Sequence, residues 1–469
     1  MNFVKFLVLA LIGLMIRLWL VPQWVDVDKA ADTHQYEQFA KNLLQQGVYS
    51  DDEGAPPVPN ARRMPAYPFF LAAIYGVSGF HNWRAVQIVQ AVLDLMTCWL
   101  VYRTARELFR DRLVGFWSFG TALICAPVLI FSGYILSETL ATFLVTLAVY
   151  CALKGCRDNR NIWFVGLGLS CAGAVLTRPA LILLPVFLLP GFYLTPEGRR
   201  FLTPKHAGLT LFCGLFLFLP WVTRNAISLH EFNFLCAARA TTSDDHAHGY
   251  HRWLSTWVDS QAYNRPLVYA VVYQRTADYK PDDLPAGEKF ERSFPRYAFD
   301  TDKERLQVKE LMNKVYLNVG LTNEVDSAFA KVAGEKIWAH PIRYYVVLPL
   351  YRMLMSWAEP PWHWFINAPP RVVRFAQLIS IAIVAFGFGG LWVIRYHWRD
   401  AGPLWLAMLA CTVGGVVTCF AVATVNPRFV VPVYPQMCIF ASACAFHLTR
   451  AKSPLKTSTE IYEPDYDRW

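Results

Sequence analysis

The sequence predicts an all-α protein that crosses a membrane many times. Of its residues, 55% are hydrophobic and 17% are charged, whereas soluble domains carry about 25% charged residues. The mean hydropathy is +0.27, and the apolar residues fall in long runs. Several runs approach the roughly 20 residues that a membrane helix needs. We therefore expect a bundle of about ten transmembrane helices rather than a soluble domain.

Ten apolar runs account for the predicted spans. The first lacks a small-residue cleavage site and leads on to further runs, so we expect an uncleaved first helix. The even number places both termini on the same side of the membrane. In chain order, the predicted spans are 4–22, 83–102, 113–132, 136–154, 162–177, 179–195, 207–224, 372–394, 402–424 and 430–448.

The net charge of +9 is explained by where the basic residues lie. They gather in short segments between apolar runs, which is the pattern of cytoplasmic loops. No basic stripe with interleaved aromatic residues predicts a nucleic-acid partner. We expect both termini in the cytoplasm. The basic residues of these segments are Arg103, Arg106, Arg110, Arg112, Lys154, Arg157, Arg160, Arg199, Arg200, Lys205, Arg395, Arg399, Arg450, Lys452 and Lys456.

The chain divides into four predicted parts. Residues 1–224 form an N-terminal membrane core, which includes a first outer region at 23–82. Residues 225–371 form a larger outer region, 372–450 carry the C-terminal membrane helices, and 451–469 are a cytoplasmic tail.

The first outer region predicts an amphipathic helix followed by a loop. Asp32 stands where an N-cap belongs and Gly47 where a C-cap belongs. The polar, proline-rich segment Asp51–Asn60 predicts a loop, and Pro65–Tyr75 predicts a short apolar helix at the membrane surface. The apolar face of the first helix repeats at helical spacing and comprises Tyr36, Phe39, Ala40, Leu43 and Leu44.

The second outer region predicts two polar helices, Asp302–Val315 and Asn323–His340. A short apolar helix follows at Ile342–Trp357 and carries Arg343 and Arg352. If it spanned the membrane, the later basic segments would lie on the wrong side, so we expect an interfacial or re-entrant helix.

Arginines recur near proline or asparagine at the predicted outer ends of the spans. A cluster of guanidiniums in this position can hold a lipid-linked phosphate through bidentate hydrogen bonds. The alternative is ordinary placement of a long basic side chain at the interface. The candidates for phosphate binding are Arg63, Arg178, Arg224 and Arg428, with Arg62 beside the first.

Two acids lie on the same predicted side. Asp32 opens the amphipathic helix, and Glu138 opens the fourth span. Transfer of a sugar to a hydroxyl needs a base for the acceptor proton and stabilisation of positive charge at the anomeric carbon, which carboxylates supply. The structural alternatives are an N-cap for Asp32 and a helix-dipole partner for Glu138.

Other polar residues favour structural roles. Asp94 shares a helix face with Gln87 and Gln90, and Arg17 in the first span is its expected partner. A histidine-rich loop follows Asp244 and Asp245, but its spacing matches no strong zinc motif. We therefore assign no metal ligand, although a divalent cofactor stays open. The histidines of this loop are His246, His248 and His251.

These segments together resemble polytopic glycosyltransferases of the GT-C class. The similar branch is that of the RgtA/B/C/D-like and ArnT-like enzymes, which are related to protein O-mannosyltransferases. Each motif is short, and the resemblance depends on their order over most of residues 1–450. The matching segments are Asp32-Thr33-His34-Gln35-Tyr36, Arg63-Met64-Pro65-Ala66-Tyr67-Pro68, Ser137-Glu138, Thr177-Arg178-Pro179, Pro220-Trp221 through Arg224-Asn225, and Pro427-Arg428-Phe429 with Pro432 and Pro435.

The resemblance implies a GT-C-like bundle and transfer of a hexose or pentose from a polyprenyl-phosphate donor. It implies Asp32 as base, assisted by Glu138, and phosphate contacts from arginines. His34, Tyr36 and Tyr67 lie in the matching motifs and are candidates for substrate binding. The acceptor is a lipid, a glycan or a protein. A bacterial inner membrane fits such a protein, with the site facing the periplasm.

The sequence departs from the family's motifs at two positions, and this bears on one role that the resemblance would otherwise imply. Met64 stands where a second proline is common, and His34 replaces an acidic neighbour found in some branches. Asp32 therefore has no adjacent acid, which argues against carrying over a metal-binding role.

Two other function classes stay open. A secondary transporter or lipid flippase is expected to show an internal repeat and polar residues at the midplane, and neither pattern is evident. A surface-polysaccharide polymerase or ligase shares the outer arginines and lipid-linked donors, but it has no need of the acidic loop at Asp32.

Overall fold

The computed structural model describes residues 3–28, 30–194, 203–232, 234–236, 247–260, 267, 271, 289–317, 320–358, 365–394, 401–421 and 427–449. Every regular element of these residues is helical. Short 3-10 helices lie at Ile130–Ser132, Pro179–Ile182, Arg296–Ala298, Pro427–Phe429 and Val431–Val433, and π-helical turns at Ile16–Leu20 and Arg343–Val347.

The α-helices are numbered in chain order. They are α1 (Phe3–Met15, continued by Ile16–Leu20 and Val21–Trp24), α2 (Ala31–Gln46), α3 (Ala66–Ser78), α4 (Trp83–Phe109), α5 (Arg112–Leu123), α6 (Ala126–Leu129), α7 (Glu138–Asp158), α8 (Asn161–Thr177), α9 (Leu183–Leu194), α10 (Pro204–Ser228), α11 (His248–Leu254), α12 (Phe290–Ser293), α13 (Asp302–Leu317), α14 (Asn323–Ala339), α15 (Leu348–Ala358), α16 (Pro370–Val393), α17 (Gly402–Ala421) and α18 (Tyr434–Thr449).

Six helices of the described part are long and apolar enough to cross a membrane. A seventh crossing is formed if the pair Arg112–Leu123 and Ala126–Ser132, bent by 52°, is one span. The other three predicted spans, at 162–177, 179–195 and 402–424, coincide with shorter apolar helices. The prediction of an all-α polytopic membrane protein is confirmed. The six long spans are Val4–Trp24, Trp83–Phe109, Glu138–Asp158, Pro204–Ser228, Pro370–Val393 and Val431–Thr449.

The chain forms two compact units. The first contains residues 1–236, 360–411 and 430–469, and the second contains 237–359 and 412–429. The predicted outer region, 225–371, has different bounds from the second unit. Residues 225–236 and 360–371 belong to the first unit, and 412–429 belong to the second.

In the first unit, close helix packing depends on small residues. A Cβ at Gly390 of α16 would lie 2.0 Å from the Phe440 carbonyl oxygen of α18, so only glycine permits this approach. Buried polar pairs also tie the helices together. As predicted, Arg17 pairs with Asp94, at 2.7 Å and with both side chains almost fully buried.

The start of α2 differs from its prediction. The N-cap residue is Ala30 and makes no side-chain capping bond, and Asp32 lies within the first helical turn. The predicted end is confirmed, since Gly47 has a left-handed φ of 67° and donates its N–H to carbonyls of the last turn. Because Asp32 does not cap α2, its carboxylate is directed to other partners.

The second unit has an aromatic core. Trp253, Trp257, Phe294 and Phe329 are buried together, and the Asp326 carboxylate accepts hydrogen bonds at 2.8 Å from the N–H groups of Gly249 and Tyr250 at the start of α11. Both predicted polar helices are present as α13 and α14.

The segment predicted as interfacial forms the π-helical turn Arg343–Val347 and α15. It is not among the helices of the described part that are apolar enough to cross a membrane. Arg352 is buried and donates to the carbonyl oxygens of Val258 and Ser255. This guanidinium therefore fastens α15 to the segment after α11.

Candidate functional site

The Asp32 carboxylate lies 2.6 Å from the Arg63 guanidinium, and each side chain is 28% exposed. The pair joins the first turn of α2 to the segment before α3. A partly exposed ion pair of this kind is open to a ligand. Two of the residues singled out in the sequence, one acid and one arginine, thus lie together.

A side-chain network holds Arg63 in this position. Its Nε donates to Gln35 Oε1 at 2.6 Å, and Gln35 Nε2 donates to Asp51 Oδ2 at 2.6 Å. Asp51 also accepts a bond from Asn60 at 2.7 Å. The loop at 51–60 therefore orients Gln35, and Gln35 orients the guanidinium toward Asp32.

The two candidate substrate tyrosines are buried. Tyr36 and Tyr67 pack edge to face with ring centroids 4.9 Å apart, and the Arg63 guanidinium lies 5.3 Å from the Tyr36 ring. The Tyr36 hydroxyl donates to Ser137 Oγ at 3.4 Å. The tyrosines therefore support the arginine and the segment before α7, whereas the side chain of His34 is exposed.

Gln90 of α4 connects Tyr67 with the segment before Glu138. It accepts a hydrogen bond from the Tyr67 hydroxyl at 3.0 Å and donates to the carbonyl oxygen of Tyr134 at 2.6 Å. Gln87 donates to the Gly133 carbonyl oxygen at 2.8 Å. These bonds fix the segment that delivers Glu138.

Glu138 opens α7, as predicted, and is fully buried. Its carboxylate lies 2.8 Å from Arg178, whose side chain is 9% exposed. Arg178 ends α8 in extended backbone before Pro179, where proline disfavours helix in the preceding residue. A second acid and a second arginine from the sequence are thus brought together.

The other two arginines have different surroundings. Arg224 donates to the carbonyl oxygens of Asn60 and Tyr49, at 2.9 and 2.7 Å, and its guanidinium lies 5.3 Å from the Tyr49 ring. Burial raises the pKa of the Tyr49 hydroxyl well above its ordinary value, so this ring stays neutral. Arg224 therefore fastens the loop to α10. Arg428 lies in Pro427–Phe429 of the second unit.

No group of three histidine, cysteine or acidic side chains in the described residues has the arrangement of a metal site. Of the histidine-rich loop, His246 and the two aspartates before it lie outside the described residues, whereas His248 and His251 belong to α11.

Comparison with known proteins gives one family match. Residues 59–223 match the family described as dolichyl-phosphate-mannose-protein mannosyltransferase. No curated protein sequence matches the chain.

Several solved structures align with the chain. ArnT from Cupriavidus metallidurans, in the apo state, aligns with 93% of this chain and 78% of its own, at 15% identity and a TM-score of 0.42. The oligosaccharyltransferase from Archaeoglobus fulgidus with a tethered acceptor peptide aligns with 95% of this chain, at 14% identity and a TM-score of 0.51. The alignment covers 50% of the archaeal protein, so this chain spans about half its length.

The chain therefore has a GT-C-like helical fold, shared with the archaeal oligosaccharyltransferase. The family match includes Arg63, Glu138 and Arg178 but begins after Asp32. The sequence motifs had singled out both members of each ion pair. They missed Gln90 and Asp51, because neither residue belongs to a motif of its own.

The site offers two kinds of chemistry. The Asp32 carboxylate is exposed enough to accept a proton from a hydroxyl group. The guanidinium groups of Arg63 and Arg178 can donate to a phosphate, for which their planar geometry is suited. The buried Glu138 neutralises Arg178 and fixes its direction.

Proposed function

We propose that this chain is a membrane glycosyltransferase that moves a sugar from a polyprenyl-phosphate donor to a hydroxyl acceptor. The observation that carries the proposal is the partly exposed Asp32–Arg63 pair, at 2.6 Å, which combines a base with a phosphate ligand. The family match and the fold support a lipid-linked donor. The ArnT from Cupriavidus metallidurans has also been solved with undecaprenyl phosphate.

The reaction is a single displacement. The acceptor oxygen forms a bond to the anomeric carbon as the bond to the phosphate oxygen breaks, and Asp32 takes the acceptor proton. The polyprenyl phosphate leaves with the bonding electron pair, and guanidinium donors stabilise its charge. Glu138 assists by holding Arg178, which lies 2.8 Å away.

Arg63 is shared between Asp32 and Gln35. A donor phosphate competes for this guanidinium, so donor binding releases the Asp32 carboxylate for the acceptor. The order of binding is therefore donor first, then acceptor.

The proposal extends to the cellular setting. The protein lies in a bacterial inner membrane with both termini in the cytoplasm, and its site faces the periplasm. The donated sugar is a hexose or a pentose. The acceptor is a lipid, a glycan or a protein.

The test is transfer from a radiolabelled polyprenyl-phosphate sugar in membranes that contain the wild type or the Asp32→Asn variant. Loss of the base is expected to lower the rate by about 10²–10⁴-fold. Asp28→Asn is the matched control, because Asp28 is an exposed acid in the same region, and it should retain wild-type transfer.

The result that contradicts the proposal is equally specific. Several sugars should be offered as donors, with and without a divalent metal. If the wild type consumes none of them, the fold serves a transporter or flippase instead. Full activity of Asp32→Asn would remove Asp32 from the chemistry.

A further inference from the structure

The second unit contains a basic cavity that the proposed reaction does not use. Its volume is about 260 Å³, and three of its seven lining residues are arginines: Arg292, Arg296 and Arg305. None of the seven lining residues is an acid. The cavity therefore presents a concentrated positive charge.

Two acids near the cavity, among the side chains that the structure describes, are engaged elsewhere. Asp300 lies 2.7 Å from Arg343, and Glu304 lies 3.0 Å from Lys336. Among the residues that the structure describes, no carboxylate pairs with Arg292 or Arg296. The charge of these two arginines is therefore available to a ligand.

Aromatic rings give the cavity a fixed wall. Phe294 and Phe299 line it, with ring centroids 6.1 Å apart. Phe294 is also 5.6 Å from the buried Trp253, so this side of the cavity is part of the unit's core. A rigid aromatic surface beside guanidinium donors suits a ligand that combines an apolar sugar face with a negative charge.

We propose that this cavity binds one anionic sugar unit, either phosphorylated or carrying a carboxylate. Pockets for drug-sized ligands measure about 300–1,000 Å³, so the smaller cavity here fits a single sugar. Guanidinium groups bind both phosphate and carboxylate through paired hydrogen bonds. The further step, that this sugar belongs to the acceptor, rests on the proposed function; the binding itself does not.

Binding is measured by titration calorimetry on the full chain in detergent, with glucose 6-phosphate, glucuronate, inorganic phosphate and glucose as separate probes. The wild type should bind the two anionic sugars more tightly than phosphate, and glucose should not bind. The double variant Arg292→Gln/Arg296→Gln should raise the Kd of both anionic sugars about tenfold or more.

The control double variant is Arg252→Gln/Lys331→Gln, which removes two exposed positive charges outside the cavity. It should bind as the wild type does. Equal weakening in both double variants, or unchanged binding in the cavity variant, would overturn the proposal. So would inorganic phosphate binding as tightly as glucose 6-phosphate, because the site would then read charge alone.

A membrane surface is the other source of anionic groups. If neither anionic sugar binds, while the chain in nanodiscs cross-links to phosphatidylglycerol only when Arg292 and Arg296 are present, the proposal is wrong. The Asp32→Asn variant distinguishes failure of the proposed transfer reaction from failure of cavity binding. It should lose transfer and still bind glucose 6-phosphate like the wild type.

Discussion

Arg63 and Asp32 form a 2.6 Å ion pair across two segments that are 31 residues apart in the chain. The geometry places a candidate base and a candidate phosphate ligand in one interaction. The pair depends on contact between two elements, because Asp32 lies in α2 and Arg63 in the segment before α3. Its direction is set by Gln35, one turn along α2 from Asp32.

We predict that Gln35→Ala slows transfer without removing the base. The variant breaks the bond to Arg63 and removes the amide donor of Asp51 Oδ2, whereas the bond from Asn60 to Asp51 Oδ1 remains. A less well-oriented guanidinium should bind the donor phosphate more weakly, so KM for the donor should rise more than kcat falls. Steady-state kinetics over a range of donor concentrations provide the measurement.

Gln45→Ala is the control, because Gln45 is exposed near the end of α2. Its donor KM should equal that of the wild type. A Gln35→Ala variant with unchanged KM and kcat would show that Arg63 does not depend on Gln35 for its position.

The sequence predicted individual site residues better than their partners. Asp32 and Glu138 were recognised as acids at the starts of helices, and Arg63 and Arg178 as arginines beside proline. That each acid pairs with one of these arginines depends on packing between distant segments, which motif spacing does not encode. The same reason explains Gln90, whose bonds to Tyr67 and Tyr134 join three segments.

Arg224 was predicted from its neighbours in the chain, and its role in phosphate binding stays a prediction. Its position beside Asn225 matches that of the other predicted phosphate ligands, and its guanidinium donates to the carbonyl oxygens of Tyr49 and Asn60 and to Asn225 Oδ1. Hydropathy located the membrane helices well, because length and apolarity are local properties. It did not distinguish full spans from shorter helices such as α8, since that depends on where each helix ends.

We predict different behaviour from the two buried ion pairs of the first unit. Removing one partner from a buried pair costs about 3–5 kcal/mol. Glu138→Gln and Asp94→Asn should therefore each lower thermal stability in detergent. Replacing both partners should restore much of that stability, because no uncompensated charge remains buried.

Transfer activity separates the pairs. The double variant Glu138→Gln/Arg178→Gln should be stable but inactive, since the proposed phosphate ligand is gone. Arg17→Met/Asp94→Leu should be stable and should keep its activity per folded molecule, because neither residue belongs to the proposed site. Besides Asp94, Arg17 bonds to the carbonyl oxygens of Gly13 and Leu123. Retained activity in the first double variant would exclude Arg178 from donor binding.

The second unit should lose stability in acid because of His251. Burial, with a smaller contribution from His248, lowers the pKa of His251 to about 4, from an ordinary value of 6.5. Between these values the unfolded chain binds a proton that the folded chain does not. The contribution of His251 to the free energy of unfolding is therefore fully present above pH 6.5 and is lost as the pH decreases toward 4. The total loss is about 3 kcal/mol.

His251→Gln should remove most of this dependence, because glutamine does not titrate. The measurement is thermal unfolding followed by tryptophan fluorescence between pH 7 and about 4, since Trp253 and Trp257 lie in the same core. His340→Gln is the control: His340 is exposed and lies 3.8 Å from Asp300, so this variant should keep the loss in acid. If His251→Gln and the wild type lose the same stability over this range, the acid sensitivity arises from other groups.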